Sequence, residues 1–161
     1  MRQYQTSMDG SRLRIGVGVS LFNNVVTERL LEGALDGLKK NGVPDTAVEV
    51  AHVPGAFELP LIADLYARSH RLDAIICLGA VVRGETPHFD MIAQWVVAEL
   101  GRLSVLHRKP IALGVLTTDT IEQALERAGG RHGNKGTDAA LVAIEMANLA
   151  HALRRTRVGS A

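Results

Sequence analysis

The chain has 161 residues, 47% of them hydrophobic and 22% charged, the balance of a single soluble domain with room for a sizeable core. Lys and Arg number 18 and Asp and Glu 17, a net charge of +1, which argues against nucleic acid as the main partner because that binding needs a basic face to neutralise phosphates. One cysteine, Cys77, excludes an intramolecular disulfide, and no apolar run approaches the roughly 20 residues of a membrane span. The segment Met1–Gly10 lacks the apolar core of a secretory signal. A cytoplasmic protein with no membrane partner is expected.

Residues 14–20 alternate β-branched residues with glycine and predict a first strand. Residues 24–41 place Val26, Leu30, Leu31, Ala34, Leu35 and Leu38 at helical spacing, with Asn41-Gly42 as the stop. A second strand is predicted over 47–53, ended by Pro54-Gly55, and a helix from about Glu58 with Pro60 in its first turn. The apolar run Ala74–Leu78 predicts a third strand, 73–79, buried on both faces. A long helix over about 89–106 follows, then a fourth strand over 111–116. Asp119 with Glu122 predicts a capping-box start for a short helix through Ala128. Residues 129–136, Gly-Gly-Arg-His-Gly-Asn-Lys-Gly, predict a loop. The last helix is expected over 137–155, with the Arg154-Arg155-Thr156-Arg157 cluster as a solvated tail at its end.

Strands alternating with helices imply a three-layer αβα sandwich: a four-stranded parallel sheet with helices on both faces. One domain is expected over 1–161, with residues 1–13 as an extension that could add an edge strand to a neighbouring subunit. The last helix adds a hint of assembly. Its polar positions between Ala139 and Leu153 are chiefly Glu145, Asn148 and His151, one narrow stripe. A helix apolar nearly all round needs cover nearly all round. Packing on the sheet with a small-residue outer face is the bland reading; a subunit interface is the sharper one.

In a parallel sheet the strand ends converge on one edge, where α/β proteins bind ligands. Four loops should meet there: Ser20–Asn23, Pro54–Glu58, Gly79–Asp90 and Leu116–Asp119. Phe22 could stack on a flat heterocycle or fold into the core. Glu58 at a helix start is first of all a favourable dipole partner. Gly84-Glu85-Thr86 offers N–H groups and a hydroxyl to an anion, a weak signal that His88 strengthens, since histidine can take and return a proton near neutral pH. A lone histidine is nevertheless more often structural. Arg127 either complements a helix dipole or grips a phosphate in a fork, and Lys135 is equally ambiguous. There is no Cys/His metal cluster, no Walker loop and no nucleophile elbow. Gly16-Val17-Gly18 lacks the third glycine of a dinucleotide fingerprint.

In sequence order, Phe22-Asn23, Val53–Glu58, Leu78–Asp90, Gly114–Thr118, Glu126–Gly129 and Gly133–Gly136 closely resemble the lumazine synthase family over about 14–154. The resemblance implies a flavodoxin-like fold and a condensation of 5-amino-6-(D-ribitylamino)uracil with 3,4-dihydroxy-2-butanone 4-phosphate, without metal or cofactor. It implies that Phe22 stacks on the pyrimidine, that Ala56, Phe57 and Glu58 hold the ribityl chain, and that Ala80, Val81 and Val82 meet the ring edge. Glu85, Thr86 and Arg127 would hold the phosphate and His88 would move protons. It further implies pentamers in which Leu113, Arg127 and Lys135 come from the neighbour. A shell of sixty subunits, with riboflavin synthase as its possible cargo, would follow from the absence of an insertion in 129–136. Leu113 stands where an aromatic residue is common, and Leu21 where a polar one is frequent. Two other classes compete: a passive flavin or nucleotide-binding module, which needs no proton shuttle, and a shell protein with a decayed site, which would not retain Phe22, Glu58, His88 and Arg127.

Overall fold

The computed structural model describes residues 1–158, with side chains to Arg155. Strands β1 (Ile15–Ser20), β2 (Val48–Val53), β3 (Ala74–Val82) and β4 (Ile111–Thr118) form one parallel sheet in the order β2-β1-β3-β4. Helices α1 (Asn24–Lys40) and α5 (Lys135–Val158) cover one face, and α2 (Leu59–Arg68) and α3 (His88–His107) the other. This is the expected αβα sandwich, with a flavodoxin-like strand order.

The period of two along β3 decides what each helix layer touches. Ile76, Leu78 and Ala80 pack with Val26, Leu30, Ala143 and Ile144 on one side. Ile75 and Cys77 pack with Leu59, Ala63, Val96 and Leu100 on the other. Each large apolar side chain so buried contributes roughly 1.5–3 kcal/mol. A strand with water on neither face explains the continuous apolar run. Among the described residues no helix is long and apolar enough to cross a membrane.

Several boundaries differ from expectation, each for a local reason. β3 runs to Val82 and β4 to Thr118, because the pairs Val81–Thr117 and Val82–Thr118 continue the ladder past Gly79. Residues Ala56–Glu58 are a 3₁₀ turn, and α2 begins only at Leu59. The short helix α4 (Ile121–Glu126) is capped by Thr120, whose hydroxyl accepts from the Gln123 N–H at 3.2 Å. Asp119 and Glu122 are not the capping pair. Asp119 instead donates its N–H to the Gln123 side chain at 2.9 Å.

The segment 129–136 is not a plain loop. Strands β5 (Ala128–Gly130) and β6 (Gly133–Asn134) make a small antiparallel hairpin, and α5 starts at Lys135, two residues early. Asn134 explains the early start. Its Oδ1 accepts from the Gly136 N–H at 2.8 Å, and its Nδ2 donates to the Arg29 carbonyl at 2.8 Å. Thr137 donates its hydroxyl to the Gly33 carbonyl at 2.9 Å. Here α1 and α5 touch backbone to backbone, and a Cβ on Gly136 would collide with the Leu30 carbonyl oxygen.

The last helix is covered on one side and open on the other, although its composition is apolar nearly all round. Ala139, Ala140, Ala143, Ile144 and Ala147 are buried, while Val142, Met146 and Leu153 are exposed. Two residues of its polar stripe, Asn148 and His151, serve this chain. Asn148 donates to the carbonyls of Ser7 and Asp9, both at 2.9 Å, and His151 Nε2 lies 3.0 Å from Asp73 Oδ1. Residues 7–13 are thereby drawn against their own chain, with Leu13 buried. At the tail, Arg154 donates to the Arg108 carbonyl; the side chains of Thr156 and Arg157 lie outside the described residues.

Candidate active site

In the order β2-β1-β3-β4 the chain reverses its direction of winding between β1 and β3, and the crevice at such a switch point is where open α/β sheets bind ligands. A cavity of about 400 Å³ opens there. Each wall follows from a strand end.

From β1 come Phe22 and Asn23. The turn is pinned to the end of β2 by the Leu21 and Phe22 N–H groups, which donate to Val53 and Pro54 at 2.8 and 3.0 Å. Asn23 takes a left-handed conformation at φ 60°, which asparagine tolerates better than most residues. Its side chain donates to the Ala80 carbonyl at 2.8 Å and so ties the first wall to β3. The consequence is a phenylalanine held 70% exposed at the cavity mouth.

The second wall is Gly55-Ala56-Phe57. Glu58 closes this turn, accepting the Gly55 N–H at 3.0 Å. Phe57 remains 52% exposed. Its ring stacks on Trp95 of α3 with centroids 5.5 Å apart, and the Trp95 indole N–H points to the Phe57 carbonyl at 3.4 Å. An aromatic pair of this kind adds about 0.5–1.5 kcal/mol beyond its burial.

The floor is Ala80, Val81 and Val82 of β3, and the remaining wall is Gly84, Thr86, His88, Phe89 and Ile92. The side chains of Thr86 and His88 make no hydrogen bond or ion pair within the described residues. Arg83 anchors this wall from outside the cavity. Asp119 and Asp90 hold its guanidinium still more firmly protonated than a free arginine.

The structure thus brings together eight of the expected site residues: Phe22, Ala56, Phe57, Ala80, Val81, Val82, Thr86 and His88. Five do not line the cavity of their own chain. Glu58 is turned to the Gly55 N–H, and Glu85 is exposed on the loop. Leu113 is exposed on the edge strand β4. Arg127 caps α4 and donates to the Gln123 carbonyl at 2.9 Å, and Lys135 pairs with Asp138 at 2.7 Å. These two are joined, since the Lys135 N–H donates to the Arg127 carbonyl at 2.8 Å. Asn23, Phe89, Ile92 and Trp95 received no role from the sequence. The spacing of Phe89, Ile92 and Val96 was the available signal, because it places them on one face of α3.

Chemically, the cavity pairs flat aromatic surface with free backbone edges, an unoccupied hydroxyl and an imidazole. It suits a flat, polar-edged molecule and a proton transfer. Among the described residues no group of three or more His, Cys, Asp or Glu is placed to hold a metal ion. Comparison with known families gives a match to the model described as 6,7-dimethyl-8-ribityllumazine synthase over residues 12–151. The match includes every strand, every wall of the cavity and most of α5. The chain belongs to the 6,7-dimethyl-8-ribityllumazine synthase family, transferases of riboflavin biosynthesis.

Proposed function

We propose that the chain condenses 5-amino-6-(D-ribitylamino)uracil with 3,4-dihydroxy-2-butanone 4-phosphate, giving 6,7-dimethyl-8-ribityllumazine, phosphate and water, the penultimate step of riboflavin formation. The observation that carries this reading is one cavity lined by Phe22, by Ala56-Phe57, by Ala80–Val82 and by Thr86 with His88.

The uracil stacks on Phe22, and its polar edges meet the backbone of Ala80–Val82. Its ribityl chain runs along Ala56, Phe57 and Glu58. The 5-amino nitrogen attacks the ketone carbon, and water leaves as the imine forms. His88 takes the proton from the adjacent carbon, and phosphate departs with the C–O bond pair. The enol so formed takes a proton to become a methyl ketone. The ribityl-bearing nitrogen then closes on that ketone, and a second water leaves. General acid–base assistance of this kind supplies ~10²–10⁴-fold. Donors aimed at the departing phosphate, from the Glu85-Thr86 backbone and hydroxyl and from Arg127, stabilise its charge. Holding both substrates in register supplies much of the remainder.

Arg127, Lys135 and Leu113 act from the adjacent subunit of a pentamer. Their place outside their own chain's cavity supports this, as does the exposed apolar face of α5. Without an insertion in the β5–β6 hairpin, pentamers close into a shell of sixty subunits able to hold riboflavin synthase. The protein acts in the cytoplasm.

An assay with both substrates, following lumazine absorbance and free phosphate, tests the reaction. Absence of both products would reject it. Light scattering tests the assembly: a particle near five times 17.3 kDa would reject the shell and keep the pentamer. Mixed assemblies test the shared site. With equal random mixing of His88→Ala and Arg127→Ala subunits, about a quarter of sites regain both groups if the two come from different chains. At limiting butanone phosphate, activity then rises above that of either variant. A site built within one chain would gain nothing.

A further inference from the structure

We propose that Arg83 is the positioning residue of this site: through Asp90, Asp119 and Phe89 it fixes residues 84–88, and so sets where Thr86 and His88 stand. This inference rests on the proposed condensation.

Arg83 is the first residue after β3, and it uses all three nitrogens of its guanidinium. Nε donates to Asp119 Oδ1 at 2.8 Å, on the segment leaving β4. Nη1 and Nη2 form a fork onto the two oxygens of Asp90, each at 3.3 Å, in the first turn of α3. The flat face lies over the Phe89 ring, 4.2 Å from its centroid, and that ring lines the cavity. The Arg83 backbone N–H donates to the Thr118 carbonyl at 2.9 Å. One side chain therefore joins the end of β3, the exit of β4 and the start of α3.

The residues between these anchors have little else to hold them. A Cβ on Gly84 would meet nothing within 4 Å. Glu85, Thr86, Pro87 and His88 are all exposed. Apart from the bonds of α3 itself, the backbone of this stretch is tied by the Asp90 N–H, which donates to the Pro87 carbonyl at 3.2 Å. Fixing both ends of a short loop fixes its middle.

Two alternatives are disfavoured on charge and exposure. As a direct phosphate ligand, Arg83 would have to leave two carboxylates facing each other. As a plain stabiliser it would be weak, because the side chains are 45% exposed for Arg83, 51% for Asp90 and 68% for Asp119, and exposed pairs are worth little. A planar fork with a stacking face cannot be copied by a lysine ammonium.

The test uses the full-length assembled protein and the variants Arg83→Ala, Arg83→Lys and Asp119→Asn. Steady-state kinetics for each substrate, melting temperature, particle size and amide hydrogen exchange over 84–92 are measured. In Arg83→Ala, kcat is expected to fall about ten- to a hundredfold, the scale of a misplacement near 1 Å. The two KM values should change by less than about threefold. Arg83→Lys should recover little of the loss. Exchange over 84–92 should quicken while melting and particle size hold. Asp119→Asn should show a smaller loss of kcat and add nothing to Arg83→Ala.

An unchanged kcat in an otherwise active protein overturns the proposal. A loss confined to the KM for the butanone phosphate makes Arg83 a ligand instead. Should Arg83→Ala fail to assemble, Arg83→Lys and Asp119→Asn still decide between these outcomes. Wild-type protein inactive with both substrates would reject the proposed reaction. The clamp would then stand or fall on hydrogen exchange alone.

Discussion

The two edges of the sheet each carry a cavity, about 400 Å³ at the carboxyl ends and about 470 Å³ at the amino ends, yet they are put to opposite uses. At the amino edge nearly every charged group is answered from within the chain. Asp64 takes Arg68 at 2.8 Å and His107 at 2.8 Å. Asp73 takes His151 at 3.0 Å and the Arg14 N–H at 2.8 Å. Lys109 and Arg154 donate to the carbonyls of Ser69 and Arg108. The α2, α3 and α5 helices all end there, and cations complement their exposed carbonyls. At the carboxyl edge two phenylalanines stand open and the Thr86 and His88 side chains have no partner among the described residues. A polar group already answered within the chain must give up that partner before it can take a ligand. Groups left unanswered, on a rigid frame, mark the working end.

The strongest way to break this contrast is His88→Ala. Turnover should fall by one to two orders of magnitude, the lower range for general acid–base catalysis, with melting unchanged. On the proposed condensation the loss should be partial, because imine formation has an uncatalysed route once both substrates are bound. An unchanged rate would remove the imidazole from the chemistry.

Arg127→Ala comes next. Loss of a charge-assisted grip is worth roughly 1.5–3 kcal/mol, so affinity for the butanone phosphate should fall about tenfold or more. The ribitylaminouracil should bind nearly as before. Equal weakening of both substrates would assign Arg127 to the framework.

Asp64→Asn sharpens the contrast from the other edge. The Arg68 hydrogen bond, aided by His107, holds the Asp64 carboxyl below its ordinary 3.8. A carboxyl lowered in the folded state stabilises it above pH 3.8 and loses that contribution as pH falls through the folded value. Solvent screening limits the effect to about 0.5–1 kcal/mol. The variant should melt about 1–4 °C lower at neutral pH. The gap from wild type should close as acid is added, and turnover should not change. A fall in kcat would mean that the amino edge also serves catalysis.

The smallest effect concerns Cys77, in the middle of the sheet. Burial pushes its thiol up to about 12, and the thiolate is the reactive form. The folded protein should therefore leave a disulfide reagent unconsumed at neutral pH, and one thiol per chain should react on denaturation. Rapid labelling without denaturant would show that the sheet opens far more readily than its packing implies.

Much of the fold was legible because β3 and α1 carry periodic apolar signals that tertiary contacts reinforce. What escaped was set by single partners. Asn134 moved the start of α5 to Lys135 by reaching Arg29, a contact between residues distant in sequence. Thr120, rather than Asp119, capped α4 because Gln123 supplied the N–H. In the site, residues on the strand ends and first loops were legible as motifs. Asn23 needed its left-handed turn to be seen as the tie to Ala80. Trp95 needed the packing of α3 to be seen behind Phe57. Physical reading left Arg127 and Lys135 ambiguous, since each has a local partner that satisfies the bland interpretation.

The meeting of α1 and α5 at Gly136 has a consequence for genetics. No side chain of any size fits between that residue and Leu30, so every substitution there should be depleted in a saturation scan selected for riboflavin prototrophy. Thr86 tolerates other residues sterically and should show a graded pattern. A map of intolerance would rank Gly136 with His88, although Gly136 lies outside the cavity. The two separate on temperature: growth of Gly136 variants should improve in the cold, where a strained helix contact is less often lost, whereas a missing imidazole stays missing.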